Sequence, residues 1–202
     1  NLRTREHDDK ERSFYSKRTV DLEYNYPFGF KELWGLAYRT DYDLNQHIKH
    51  SGKDLSYLDP ATNTKLVPHV IEPAVGIDRL VLMVLCDAYW NDTANNRVVL
   101  KLAPKLAPYT VAVFPLVKNN EEVVAKARGV FDTLTSKFRV AWDDRGNIGK
   151  RYYYQDEMGT PYCVTVDYQT LEDGTVTVRD RDTTEQLRLP IESLSAHLEK
   201  FL

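Results

Sequence analysis

A carboxylate and a guanidinium stand seven residues apart in Glu72-Pro73-Ala74-Val75-Gly76-Ile77-Asp78-Arg79, with Leu80-Val81-Leu82-Met83-Val84-Leu85 directly after them. A planar, permanently charged guanidinium suits a phosphate or a carboxylate partner. The residues that follow are apolar almost all round, which predicts a buried helix over 78–90 and a stiff support for both charges. Gly76 permits close approach of the backbone to a ligand. An ordinary solvated helix start would also account for Asp78 and Arg79, and this segment alone leaves both readings open.

A second concentration of chemistry lies near the other end. Lys150 and Arg151 precede Tyr152-Tyr153-Tyr154, and Arg179 and Arg181 sit in Arg179-Asp180-Arg181-Asp182. Arginine and aromatic side chains are the usual means of holding unstacked RNA bases. The competing reading is a self-neutralised strand end with the tyrosines partly in a core. Elsewhere, Glu32 alone reads as a surface strand residue, and Arg39 alone as a salt bridge to Asp41 or Asp43. The five histidines, His7, His47, His50, His69 and His197, show no metal-ligand spacing with Cys86 and Cys163. No structural metal site is expected, and no Ser-His-Asp or Cys-His arrangement is evident.

These residues need elements to carry them. Residues 3–18 are highly charged and read as a mostly exposed helix. Thr19 to Tyr26 alternates apolar and polar residues as a half-buried strand does, and Glu32 to Tyr38 reads as the next strand. Residues 40–65 read as a helix start followed by a long loop, and Val67 to Ile71 as a short strand. Pro104 and Pro108 bracket a boundary at about Ala107, giving domains over 1–106 and 107–202. Tyr109 to Val117 is continuously apolar, like a buried parallel strand. Asn119 or Asn120 can cap a helix with a stripe of Val123, Ala127, Val130, Phe131 and Leu134. Strands are predicted at 138–142, 162–167 and 176–179, and helices at 147–158 and 191–202. The fold class is α/β in the broad α+β sense, with the second domain a mixed-sheet α/β unit.

Composition bounds the function less tightly. Of 202 residues, 42% are hydrophobic and 28% charged, an ordinary globular balance, and the net charge is −3. Bulk charge therefore does not advertise nucleic-acid binding, although a local basic patch remains compatible with it. The two cysteines lie far apart in apolar runs, as buried thiols of a reducing cytosol do. No run is long enough to span a membrane and no signal peptide is visible, so a cytoplasmic protein without membrane association is expected.

The segment 71–85 resembles motif 3 of the class II aminoacyl-tRNA synthetases, in the form found in the glycyl-tRNA synthetase family of homodimeric type. Pro27 to Leu44, read as PFGFKELWGLAYRTDYDL, and His50 to Tyr57 resemble the preceding active-site strand of that family. Gly149-Lys150-Arg151, Asp156 to Pro161 and Thr177 to Asp182 resemble its anticodon-binding domain. The resemblance implies a C-terminal part of an antiparallel-sheet catalytic domain followed by an anticodon-binding domain. It also implies ligation of glycine to tRNA(Gly) with ATP and Mg2+, in a homodimer.

Residue by residue, it assigns ATP contacts to Glu32, Leu33, Gly76, Ile77, Asp78 and Arg79, with Glu32 acting through Mg2+ or ribose. It assigns glycine contacts to Glu72, Pro73, Ala74, Val75, Gly76 and Arg39. Glu72 would hold the ammonium group, and Glu72 and Arg79 would carry the chemistry. Lys150, Arg151, Arg179 and Arg181 would read the anticodon. Ala74 stands where the family usually has serine, and a methyl group there excludes larger side chains by bulk alone. Motifs 1 and 2 lie upstream in the family and Asn1 begins this chain, so the chain is expected to be inactive alone. Arg3-Thr4-Arg5-Glu6 resembles motif 2 superficially; the wider run 2–15 fits better as a helix leading into the catalytic sheet. A non-catalytic RNA-binding or accessory protein built from synthetase parts is the alternative, favoured by Ala74 and opposed by retention of Glu32, Glu72 and Arg79.

Overall fold

A computed structural model describes residues 1–200 and divides them into two compact units, the first over residues 1–86 and the second from Asp87 onward. The first unit is built on an antiparallel sheet of β1 (Leu2–Glu6), β2 (Arg18–Tyr26), β3 (Gly29–Thr40) and β6 (Val70–Val75), in the order β1-β2-β3-β6. Between β3 and β6 lie helix α1 (Tyr42–Ser51) and a small hairpin of β4 (Tyr57–Asp59) and β5 (Thr64–Leu66). Residues 40–65 are therefore more ordered than the long loop expected of them. Helix α2 (Ile77–Ala88) follows β6.

Two expectations fail in this unit. The exposed helix over 3–18 is a strand followed by turns. Arg3 and Arg5 alternate on β1 and pair across the ladder with Glu23 and Asp21 of β2, and strand pairing with cross-strand ion pairs overrides helix propensity. Asp8 then turns the chain by accepting from the Lys10 and Glu11 amides. Helix α2 is apolar as read, yet Ala88 is its only buried residue. Its apolar contacts with buried Tyr24, Tyr26 and Leu33 come from Leu80, Met83 and Cys86, while Val81, Leu82 and Leu85 stay exposed.

The second unit opens with a hairpin of β7 (Tyr89–Asp92) and β8 (Arg97–Leu100). Its five-stranded mixed sheet, in the order β10-β9-β11-β12-β13, comprises β9 (Val111–Pro115), β10 (Val140–Trp142), β11 (Tyr162–Val166), β12 (Thr175–Asp180) and β13 (Gln186–Pro190). β9 pairs in parallel with β10 and β11, while β12 and β13 are antiparallel. Helix α3 (Glu121–Thr135) is capped by the Asn120 side chain and buries the expected stripe against one face, which α6 (Ile191–Glu199) shares. Helix α4 (Ile148–Met158) covers the other face with Ile148 and Tyr152 over Ala112, Phe114 and Cys163. A short helix α5 (Tyr168–Asp173) and strand β13 escape the sequence reading. The terminal helix expected over 191–202 is described as far as Glu199, and residues 201–202 lie outside the described residues.

The hairpin β7–β8 belongs with the second unit, although a boundary at 107 assigns it to the first domain. Arg97 of β8 is buried between Asp92 and Asp156, donating to each at 2.8 Å. Gly159 ends α4 at φ +80°, and a Cβ there would lie 2.8 Å from the Leu102 side chain and 3.0 Å from the Leu100 carbonyl. Only glycine permits that close approach.

Candidate functional site

Strand alternation decides which motif residues share a face. Gly35 of β3 pairs with Ala74 of β6, Ala37 with Glu72, and Asp21 of β2 with Gly35. Asp21, Gly35, Ala37, Glu72 and Ala74 therefore lie on one side of the sheet. Pro73 and Val75 pair with Leu36 and Trp34 and face the other way. Of the four β6 residues expected around glycine, Glu72 and Ala74 share a floor and Pro73 and Val75 do not, because a strand presents alternate residues.

Gly35 and Ala74 leave that floor without bulk beside the Glu72 carboxylate. Glu72 is held by Arg39, whose Nη1 donates to Glu72 Oε2 at 2.8 Å. Arg39 also donates from Nε and Nη2 to both oxygens of Asp43, at 2.6 and 2.7 Å. Asp43, followed by Glu72, raises the pKa of the guanidinium further above its ordinary value, and Arg39 lowers that of Asp43. The salt-bridge reading of Arg39 holds for Asp43, and with Glu72 it commits three of the five N–H donors of the guanidinium.

A second subsite adjoins the floor. Arg79, at the start of α2, pairs with the Glu32 carboxylate at 3.0 Å and donates to the Glu32 carbonyl at 3.2 Å. Tyr26, Phe28, Lys31, Glu32, Arg79 and Leu82 line an open cavity of about 430 Å³. Phe28 stacks on Tyr26 with ring centroids 5.1 Å apart and remains 62% exposed, an aromatic face available to a planar ligand. Glu32 Oε1 lies 3.6 Å from where a Cβ on Gly35 would stand, so Glu32, which lines the cavity, also borders Gly35 of the floor. Gly76, Ile77 and Asp78 form the exposed turn beside Arg79, and the Gly76 carbonyl accepts from the Leu80 amide. Leu33 is 4% exposed, its side chain packed in the apolar cluster under α2, so only its backbone faces the neighbourhood of Glu32.

Sequence reasoning missed Asp21, Glu23, Gly35 and Phe28. The signal for the first two was present, since Asp21 and Glu23 alternate with Leu22 and Tyr24 in β2. Both are buried carboxylates satisfied by Arg3, Arg5 and His7 from β1 and the turn after it.

In the second unit, three of the four expected base-reading cations turn inward. Arg151 is 1% exposed and donates to the carbonyls of Arg145, Pro115, Asp144 and Gly146, tying two loops to α4. Arg179 forms a bidentate pair with buried Asp156. Arg181 donates to the carbonyls of Leu102 and Gly159 and pairs with Asp182. Their guanidinium groups are thus engaged inside the unit rather than presented on its surface. Lys150 remains exposed, on an α4 face that also presents Tyr153 and Tyr154 at 46% exposure each. Beside it, Arg145, Gly146, Lys150, Tyr154, Glu157 and Met158 line a cavity of about 470 Å³.

Residues 110–201 match the family described as anticodon binding domain. Over 99% of its length the chain is 53% identical to a glycine–tRNA ligase of Clostridium tetani. The chain belongs to the glycine–tRNA ligase family. A glycine–tRNA ligase of Clostridium perfringens is 53% identical over the whole chain, and one of Staphylococcus aureus is 51% identical over 98% of it. The chain spans 43–44% of the length of these curated relatives. The match to the anticodon-binding domain takes in the five-stranded mixed sheet and the helices α3 to α6 around it. No helix among the described residues is long and apolar enough to cross a membrane.

Proposed function

We propose that this protein serves in glycine–tRNA ligation, activating glycine with ATP to glycyl-adenylate and passing the glycyl group to tRNA(Gly) in the cytoplasm, as a homodimer. One observation carries the reading: Glu32, paired with Arg79 in the cavity, borders the side-chain-poor floor of Gly35 and Ala74 on whose face Glu72 lies. Glu72 receives the ammonium group of glycine through its exposed carboxylate. The floor admits a substrate without a side chain and excludes bulk. Arg79, Lys31 and Phe28 suit a nucleotide, with cations for phosphates and an aromatic face for the base. The glycine carboxylate then attacks the α-phosphorus and pyrophosphate leaves, chemistry that rests on positioning and charge stabilisation rather than on a protein nucleophile.

Mg2+ fits as an ion brought by the nucleotide. Among the described residues no group of three metal-ligating side chains converges, whereas Glu32 offers a half-exposed carboxylate beside the phosphate-binding cation. Mg2+ commonly takes one or two carboxylates together with substrate phosphates. When bound it neutralises phosphate charge; orientation is left to Arg79 and Glu32.

For tRNA, the exposed α4 face is the reading surface: Tyr153 and Tyr154 stack bases while Lys150 and Arg145 meet phosphates. The test is glycine-dependent ATP–pyrophosphate exchange by the protein at the full length of its relatives, alongside titration of tRNA(Gly) and an anticodon-swapped tRNA. Exchange lost on Glu72→Gln, with cognate tRNA preferred and weakened by Tyr154→Ala, is the expected result. Absence of exchange together with equal, salt-controlled binding of both tRNAs overturns it in favour of an accessory RNA-binding protein, the reading that Ala74 favours.

A further inference from the structure

Glu72 is poorly enclosed for a residue that must present one oxygen accurately. Its side chain is 47% exposed, against 18% for Arg39 and 22% for Asp43. An exposed ion pair on its own orients a flexible glutamate weakly. Arg39, however, is held from two further directions. Asp43 grips its edge through two hydrogen bonds, and its plane lies 4.0 Å over the centroid of the Tyr15 ring. Bidentate pairing and stacking together fix both the position and the tilt of a guanidinium.

The backbone is shaped to bring these groups together. The β3–β6 register shifts between Tyr38 and Thr40, which sets Arg39 at an irregularity in the strand. Thr40 then adopts φ +55°, an unfavourable conformation for a β-branched residue, as the chain leaves β3 for α1. Asp43 sits in the first turn of α1. Tyr15 is anchored by ring contacts with Phe14 and with Tyr42, the first residue of α1. A pair between Arg39 at the end of β3 and Asp43 in α1 alone needs neither the ring nor the third donor reaching across to β6.

We propose that Asp43 and Tyr15 are positioning residues for glycine activation: they lock Arg39 so that its Nη1 clamps Glu72 Oε2 and leaves Oε1 free for the substrate ammonium. This rests on the reading of Glu72 as the ammonium acceptor. The experiment is steady-state ATP–pyrophosphate exchange by the protein at the full length of its relatives, with glycine and ATP varied separately. Asp43→Asn and Tyr15→Leu each raise the KM for glycine about tenfold while the KM for ATP and the melting temperature stay unchanged. Tyr15→Phe, which keeps the stacking face, behaves as the unaltered protein, and Arg39→Lys behaves as Asp43→Asn. In a Glu72→Gln background, Asp43→Asn adds no further loss, because its effect passes through the group already removed.

Parallel increases in both KM values with a lower melting temperature, or additive losses in the double variant, overturn the inference as a merely structural role. A Glu72→Gln protein with unchanged KM for glycine overturns the ammonium-site reading itself and this inference with it. That outcome is distinguishable because the single Glu72 variant is read independently of Asp43 and Tyr15.

Discussion

Adjacent residues of α4, Lys150 and Arg151, carry the same charge and answer to different physics. Lys150 is exposed, whereas Arg151 is almost wholly buried with four carbonyl acceptors. Arg151→Ala strips several buried carbonyls of their donor at once, and each unmade bond costs about 1–3 kcal/mol. The expected loss of stability is at least about 3 kcal/mol, read by thermal unfolding of the second unit. Lys150→Ala is expected to leave unfolding unchanged, weaken tRNA binding and reduce its salt dependence. A reversal, with Arg151→Ala stable but unable to bind, would return Arg151 to the RNA surface. Sequence showed a local cluster of cations and tyrosines, but charge type does not reveal which way a side chain turns. The carbonyls that accept from Arg151 come from Pro115 and residues 144–146, and no local pattern announces that convergence. Glu72 and Arg79 stand out in the sequence because they sit in a contiguous motif; Gly35 does not, since its pairing with Ala74 joins two strands far apart in sequence.

Elements with a strong period of their own were the ones that sequence revealed. α3 has its polar cap and buried stripe, and α4 runs from the Asn147 cap to Gly159 as its pattern requires. The short α5 has neither length nor stripe and depends on Asp167, which accepts from the Thr170 amide in a capping box and pairs with Arg188 of β13 at 2.8 Å. Arg188 first, then the capping hydrogen bonds, holds the Asp167 carboxyl down to about 2, against 3.8 for the free group. A carboxyl with a depressed pKa in the folded state contributes stability above its unfolded value and loses it as pH falls through the folded one. The contribution of Asp167 is therefore complete above pH 4 and disappears between about pH 4 and pH 2. Asp167→Asn should lower stability near neutrality by about 1–2 kcal/mol and flatten this part of the acid unfolding curve. Urea unfolding of both proteins at pH 7 and at pH 2 measures it, and an equal gap at the two pH values would contradict the assignment. β1 failed as a helix for a related reason: its charges look like those of a solvated helix until Asp21 and Glu23 are placed opposite them.

At the scale of the molecule, apolar surface and domain limits depend on which segments are brought together. In the first unit Trp34, Leu36, Ile71, Val75, Val81 and Leu85 remain exposed, and the chain spans less than half the length of its relatives. An apolar helix therefore reads as buried by composition while this chain alone leaves most of it uncovered. In the second unit the family match begins at residue 110, but the compact unit begins at Asp87. The difference is the β7–β8 hairpin and the segment after it, whose Val99 is 0% and Leu102 6% exposed. Pro104 and Pro108 marked a boundary by local composition, whereas the deciding contacts are long-range: Arg97 with Asp156, and Leu100 to Leu102 with Gly159. Residues 87–202 should consequently unfold as one cooperative transition. Starting instead at residue 107 removes the Arg97 partner of fully buried Asp156 and uncovers the apolar surface that Val99 and Leu102 seal. Asp156 keeps its pair with Arg179, so the cost is one charge-assisted hydrogen bond, about 1.5–3 kcal/mol, plus the exposure of the surface under two aliphatic side chains. Circular dichroism melts of the two polypeptides check this. A clearly lower midpoint for 107–202 is expected, and Arg97→Met in 87–202 should recover part of the difference by keeping the hairpin's apolar cover. Equal midpoints for the two polypeptides would mean that the hairpin only rests on the unit and that the boundary lies at 107 after all.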